Sequence, residues 1–169
     1  MLRDMPPAAS VSIHVDAPPD AVYALVSDLP RMGEWSPECQ RCEWVGGAAG
    51  PSVGARFKGY NRIGWRRWST KGEVVAAEPG RELAWDVRSV FNLPVARWRY
   101  ALQPKAEGGT EVTETMEDQR GKLMHFLGKL VTGVGDRPTH NTEGMRATLQ
   151  KIKSEAERSG AAGGPARSG

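Results

Sequence analysis

The stretch SVSIHVDAPPDAVYALVSDLPRMGEWSP, residues 10–37, places a strand pattern directly before a helix pattern and ends in a loop that carries a tryptophan. Apolar Val11, Ile13 and Val15 alternate with polar residues, which is the period of a half-buried strand. Two prolines follow, and apolar residues then recur at helical spacing: Val22, Leu25, Val26 and Leu29. Because proline is favoured in the first helical turn, the pattern predicts a short helix that ends near residues 28–30.

Six further strand-like runs follow this start, and turn residues separate them at short intervals. They are CQRCEWV (39–45), VGARFKGYNR (53–62), WRRWSTKGEVVAA (65–77), ELAWDVRSV (82–90), PVARWRYALQP (94–104) and TEVTETMED (110–118). Parallel strands need longer, usually helical crossovers, so the short spacing favours an antiparallel meander.

From Lys122 onward the apolar residues return to helical spacing and predict a long C-terminal helix. They are Leu123, Phe126, Leu127, Leu130 and Val131, then Met145, Leu149, Ile152 and Ala156. We expect an interruption at TGVGDRPTH (132–140), where two glycines and a proline oppose a regular helix. The order of elements predicts an α+β fold, one domain over residues 10–158 between flexible ends at 1–9 and 159–169.

Strand alternation sorts the side chains into two faces, and one of these faces is unusually aromatic. Arg97 and Arg99 fall on the opposite, outer face. The inward set is Ala96, Trp98, Tyr100 and Leu102; Leu83, Trp85 and Val87; Trp68, Thr70, Gly72, Val74 and Ala76; and Val112, Glu114 and Met116. These rings, with Trp44 and Phe57, leave two interpretations open, a densely packed core or a ligand cavity.

Composition is typical of a globular protein, with 169 residues, 39% hydrophobic and 25% charged. No run approaches the roughly 18 apolar residues of a membrane span, and the first ten residues lack the apolar region of a secretory signal. We therefore expect a cytoplasmic protein without stable membrane insertion. Trp65, Arg66, Arg67 and Trp68 mix base-stacking with phosphate-binding side chains, but alternation divides them between two faces, so we expect no nucleic-acid partner.

Cys39 and Cys42 form a CxxC motif, which suits a redox pair or half of a zinc site. There is no second cysteine pair, and His14, His125 and His140 are not at ligand spacing, so we predict no metal site. An offset of three along a strand directs the two side chains to opposite faces, which predicts two free thiols. A phosphate-binding glycine loop is also missing from the sequence, so we expect no cofactor.

Four segments together resemble the polyketide cyclase/dehydrase branch of the START-like, birch-pollen-allergen superfamily. They are VSIHVDAPPDAVYALVSDLPRMGEWSPECQ (11–40), GARFKGYNR (54–62), WSTKGEVVAAEPGRELAWDV (68–87) and VTETME (112–117), the last standing before the long helix. The resemblance covers residues 10–155. It implies a helix-grip fold, in which a seven-stranded antiparallel sheet wraps around the C-terminal helix and encloses a cavity for hydrophobic small molecules.

The resemblance favours the cavity interpretation and implies a set of ligand contacts. These are Trp35, Trp44, Phe57, Trp68, Trp85, Trp98, Tyr100, Phe126, Met145 and Leu149. In the family pattern the Trp35 loop, held by Pro30 and Pro37, lies at one end of the cavity. Two roles remain open for Trp35: packing as a lid or beneath the C-terminal helix, or direct contact with the ligand.

Three functions are compatible with these features. The first is binding of an aromatic, polyketide-like or lipid-like molecule. The second is a cofactor-independent polyketide cyclase or dehydratase, with Glu114, Tyr100 and His140 as candidate acid–base groups and Asn141 nearby. Both residues also have non-catalytic interpretations, in which Glu114 pairs with a cation at the rim of the sheet and His140 is solvated at the start of a helix. The third is an interaction protein that uses the arginine-rich outer face or residues 132–140. The oligomeric state, monomer or homodimer, stays open.

Overall fold

The computed structural model describes residues 8–121 and 129–162. Seven strands, three α-helices and a single 3₁₀ turn lie wholly within this part of the chain, and residues 129–132 are also helical. In order they are β1 (Ala9–Val15), α1 (Pro19–Ser27), a single 3₁₀ turn (Leu29–Arg31), α2 (Met32–Trp35), β2 (Cys39–Val45), β3 (Arg56–Ile63), β4 (Arg66–Glu78), β5 (Glu82–Arg88), β6 (Pro94–Pro104), β7 (Thr110–Asp118) and α3 (Arg137–Ala162).

The seven strands form one antiparallel sheet in the order β1-β7-β6-β5-β4-β3-β2. Strands β2 to β7 follow one another as a meander, and β1 joins the sheet beside β7. Helix α3 packs against β1, β7, α1 and α2. The predicted α+β helix-grip fold is thereby confirmed.

The long C-terminal segment is interrupted where the glycines and the proline predict. Residues 129–132 are helical, and Gly133 then adopts a positive φ of 74° before α3 begins at Arg137. Helix α3 continues to Ala162, beyond the predicted domain end at residue 158, and β1 begins at Ala9. The predicted helical residues Leu123, Phe126 and Leu127 lie outside the described residues. No helix in the described part of the chain is long and apolar enough to cross a membrane.

Two β-bulges change the faces that simple alternation predicts. In β4 the register shifts between Val74 and Ala76, so that Ala77, and not Ala76, lies opposite Leu83 and packs on the core. The prediction that Ala76 shares the inward face is therefore wrong, since one extra residue reverses the alternation beyond it.

The second bulge lies in β2, between Cys39 and Arg41. The extra residue brings Cys39 and Cys42 to the same face, where their sulphur atoms are 3.5 Å apart. The prediction that these thiols point to opposite faces is wrong for this reason. Both cysteines are free.

Candidate functional site

A cavity of about 200 Å³ lies between the concave face of the sheet and the first turns of α3. Strands β3 to β7 supply one wall, and α3 supplies another through Met145 and Thr148. Residues 36–39, which enter β2, close the remaining side together with the 3₁₀ turn and α2. The lining is mostly apolar, as is typical of small-molecule sites.

A row of aromatic rings crosses the sheet beside the cavity. Trp44 meets Phe57 edge-on at 5.9 Å between ring centroids, Phe57 meets Trp85 at 6.2 Å, and Trp85 meets Tyr100 at 5.8 Å. Phe57 on β3 reaches Trp85 on β5 because Gly72 on the intervening β4 has no side chain. A Cβ atom at Gly72 would lie only 2.1 Å from Cζ of Phe57.

The aromatic row ends at the only carboxyl group that is fully buried in the described residues. The Tyr100 hydroxyl donates a hydrogen bond of 3.0 Å to Oε1 of Glu114, its cross-strand neighbour. The other oxygen, Oε2, has no hydrogen-bond partner among the described residues. Burial raises the pKa of Glu114 from 4.5 to about 8, and the hydrogen bond from Tyr100 offsets only part of this rise. The protonated, uncharged form of Glu114 therefore predominates at neutral pH. The predicted alternative, a cation partner for Glu114, is not present among the described residues.

Burial also raises the pKa of the Tyr100 hydroxyl well above its ordinary value. Tyr100 thus stays a neutral donor at any pH at which Glu114 changes its charge. The pair presents a carboxylic acid, held in place by a phenol, to an apolar cavity. Such a group can donate a hydrogen bond to a ligand oxygen or transfer a proton to it.

Polar side chains collect at the rim of the cavity. His140, in the first turn of α3, lies 3.1 Å from a carboxylate oxygen of Glu38. Asp118, at the end of β7, pairs with Arg120 at 2.6 Å. The rim therefore surrounds an apolar interior with hydrogen-bonding and charged groups.

The structure brings together most of the residues that the sequence nominates, but not all of them. Six of the proposed ligand contacts line the cavity: Phe57, Trp68, Trp85, Trp98, Tyr100 and Met145. All three candidate acid–base groups line it as well, since Glu114 and His140 join Tyr100 there. Trp44 and Leu149 belong instead to the packed core, and Phe126 lies outside the described residues.

Trp35 also lies away from the cavity lining, at the end of α2 and not in a loop. It is only 5% exposed, the Arg31 guanidinium lies over its ring at 5.0 Å, and α2 packs against α3. The interpretation as a ring packed beneath the C-terminal helix fits this placement. Direct contact between Trp35 and a ligand in the cavity does not.

Sequence reasoning missed several lining residues. Asp118 continues the β7 alternation through Val112, Glu114 and Met116. Extending the two-residue period by one more step would therefore have predicted that Asp118 faces inward. Thr148 follows Met145 by three positions and shares its helix face. No periodicity in the sequence places both Cys39 and Cys42 on the inward face. The bulge that directs both of them inward depends on the pairing of β2 with β3. No cluster of three or more potential metal ligands occurs within residues 8–121 and 129–162.

An antiparallel sheet that closes on a long C-terminal helix around an internal cavity defines a helix-grip domain. The chain belongs to the family described as polyketide cyclase / dehydrase and lipid transport, whose model matches residues 6–157. A comparison with curated proteins gives no match.

Solved structures agree with this assignment. A polyketide-cyclase-like protein of Corynebacterium glutamicum is 34% identical, with 96% of this chain and all of that chain covered and a TM-score of 0.62. The major latex-like protein 151 of Panax ginseng is 15% identical, with 87% and 95% covered and a TM-score of 0.64. A di-domain aromatase/cyclase of the steffimycin biosynthetic pathway is 16% identical, with 90% and 51% covered and a TM-score of 0.67. The last two likenesses describe the fold alone.

Proposed function

We propose that the protein binds a small ring compound that carries a hydroxyl or carbonyl group. The observation that carries this proposal is the buried Glu114, uncharged and with one oxygen unpartnered among the described residues, in an otherwise aromatic cavity. An unsatisfied buried polar group costs about 1–3 kcal/mol. A ligand oxygen placed against Glu114 would remove that cost, so the site favours an oxygenated ring over a plain hydrocarbon.

Cavity volume supports a small ligand. Engineered apolar cavities of about 150 Å³ bind benzene, so a cavity of about 200 Å³ suits a ring system of that order and not a long acyl chain. Of the aromatic, polyketide-like and lipid-like ligands expected from the sequence, the first two fit this volume better. A larger molecule would need to extend past the polar rim.

Two experiments test binding. Native mass spectrometry of the protein purified from its source, compared with a denatured sample, asks whether a small molecule is bound. Calorimetric titration with naphthol and with naphthalene then asks whether the hydroxyl matters. We expect naphthol to bind at least tenfold more tightly, and Glu114→Leu to abolish that preference. Equal affinities for the two compounds in the wild-type protein would contradict the proposed role of Glu114.

A pair of matched variants tests whether binding occurs in this cavity. Ala96 lines the cavity on β6, and Ala101 on the same strand lies on the opposite face. We expect Ala96→Phe to fill the cavity and abolish naphthol binding, and Ala101→Phe to leave it unchanged. Thermal unfolding of both variants establishes that they are folded. Retained binding in folded Ala96→Phe would place the site elsewhere.

A second candidate function is cofactor-independent cyclisation or dehydration of a polyketide-like substrate, and the acid form of Glu114 favours it. In a dehydration, Glu114 would protonate a departing hydroxyl group, which leaves as water, while His140 takes a proton from the adjacent carbon. The carbon–hydrogen electron pair becomes the new double bond. Glu38, whose carboxylate lies 3.1 Å from Nε2 of His140, would orient the imidazole.

Turnover measurements separate the enzyme from the binding protein. With an identified substrate, Glu114→Gln and His140→Ala should each lower kcat by about 100-fold or more, the contribution typical of a general acid or base. His14→Ala is the matched control, because His14 is partly exposed and bonded to Asp16. If both site variants keep full turnover, the catalytic assignments are wrong while the binding proposal stands.

A further inference from the structure

We propose that Cys39 and Cys42 form a reversible disulfide in the wall of the cavity, so that the pair is a redox modification site. The two sulphur atoms are 3.5 Å apart, and both residues line the cavity. They are the only cysteines in the sequence. This inference concerns a different chemistry from ligand binding and does not depend on it.

The bulge in β2 creates the pair. With Gln40 as the extra residue, Cys39 lies opposite Asn61 and Cys42 opposite Gly59 on β3. Gly59 has no side chain, so the neighbouring strand does not cover Cys42 Sγ. A Cβ atom at position 59 would lie 3.9 Å from that sulphur atom. A regular strand would separate thiols at this spacing, so the bulge is what allows the bond.

Closing the bond requires only a small movement. A disulfide has a sulphur–sulphur distance of about 2.0 Å, so the two atoms must approach by roughly 1.5 Å. Strand β2 is at the edge of the sheet and pairs with β3 alone, and it can shift without breaking a second ladder of hydrogen bonds.

The two cysteines differ in a way that assigns their roles. Cys39 is partly exposed and Cys42 is buried. A hydrogen bond from the Cys42 thiol lowers the pKa of Cys39, although burial and the nearby Glu38 oppose this effect, whereas Cys42 has its pKa raised by that same contact and by burial. Cys39 is thus the sulphur that meets an oxidant, and Cys42 the sulphur that resolves the product.

Hydrogen peroxide is the oxidant that we name. The Cys39 thiol gives up its proton, the thiolate attacks one peroxide oxygen, and the oxygen–oxygen bond breaks, so that Cys39 becomes a sulfenic acid. The departing hydroxide takes up one proton and leaves as water. The Cys42 thiol then attacks the Cys39 sulphur, the sulphur–oxygen bond breaks, and a second water leaves as the disulfide forms. The dithiol is oxidised by two electrons, and a dithiol reductant reverses the change.

Peroxide titration of the full chain tests the proposal. By intact mass and peptide mapping, the wild-type protein should lose two hydrogen atoms, lose both alkylatable thiols, and recover them with dithiothreitol. Cys42→Ser and Cys39→Ser remove one partner each. Cys42→Ser should stop at a one-oxygen adduct on Cys39, and Cys39→Ser should react at least tenfold more slowly. Accumulation of oxygen adducts or of disulfide-linked dimers in the wild-type protein would overturn the proposal.

A second arm tests the position of the pair in the cavity wall. Saturating naphthol should slow disulfide formation at least tenfold, because the ligand would cover both sulphur atoms. If naphthol binds and the rate is unchanged, the pair does not face the ligand and this part of the proposal is wrong. If naphthol does not bind but the disulfide forms, the proposed function fails and the redox site stands.

Discussion

Replacing Glu114 by glutamine should change how the stability of the protein depends on pH. In the folded protein burial raises the pKa of this carboxyl to about 8, while in the unfolded chain it returns to about 4.5. Glutamine has the same shape, keeps an oxygen that can accept the hydrogen bond from Tyr100, and cannot ionise. The comparison of the two proteins therefore isolates the charge.

The direction follows from proton binding in the two states. Below pH about 4.5 the carboxyl is protonated whether the chain is folded or not, so its charge costs nothing. Between about 4.5 and 8 the unfolded chain has released the proton and the folded chain retains it, so stability falls as pH rises. Above about 8 the loss is complete. Since each tenfold step in a protonation equilibrium is about 1.4 kcal/mol, the upper limit is on the order of 5 kcal/mol.

Urea unfolding of the wild-type and Glu114→Gln proteins, at several pH values from about 4.5 to 9, measures this effect. We expect the difference between their unfolding free energies to move by several kcal/mol in favour of the glutamine variant across that range. Tyr100→Phe removes the hydrogen bond that favours the charged carboxyl, so the loss should extend to higher pH. Parallel stability profiles for the wild-type and Glu114→Gln proteins would refute a buried, uncharged Glu114.

Two further substitutions, each with a control, test the packing around the cavity, and a third tests an ion pair on the outer face of the sheet. Gly72→Ala drives a Cβ atom into an aromatic ring and should cost about 1–3 kcal/mol, whereas Gly50→Ala, with nothing within 4 Å of its Cβ, should change unfolding free energy by less than about 0.5 kcal/mol. Thr148→Leu fills the cavity from α3 and should raise the unfolding midpoint while lowering naphthol affinity about tenfold; Thr142→Leu, with the same type of hydroxyl-to-carbonyl bond, should not alter that affinity. Arg97→Ala breaks a partly exposed ion pair and should cost less than about 1 kcal/mol in urea unfolding.

The fold can be predicted from the sequence because local hydrophobic periodicity marks each of its main elements. Seven runs alternate with period two, short turns separate them, and one long helix follows, so topology needs few further assumptions. The inward face of β6 is predicted correctly from Trp98 and Tyr100 alone, since the alternation of this strand is unbroken from Ala96 to Pro104. The family resemblance added the wrapping of the sheet around the helix.

The site was less accessible, because its details depend on contacts between strands. The bulges at Gln40 and Val75 arise from pairing with a neighbouring strand, and no local pattern marks them. Trp35 is a large ring in a stretch with two prolines, which indicates a special position without telling a core contact from a ligand contact. Whether the aromatic rings fill the concave face or leave space is likewise decided by packing and not by period.

Helix α3 explains why the same concave face is packed at one end and hollow at the other. Its later inward residues are apolar and fully buried: Leu149, Ile152 and Ala156. Apart from Met145, its earlier ones are small or polar and line the cavity: His140, Asn141, Gly144 and Thr148. Exchanging these for larger apolar groups would extend the core and, by ordinary packing energetics, stabilise the protein. The helix thus carries few large apolar side chains where the sheet presents Glu114 and Tyr100. This is the composition expected of a binding cavity, because the unfilled volume lies beside the one buried acid that lacks a second partner among the described residues.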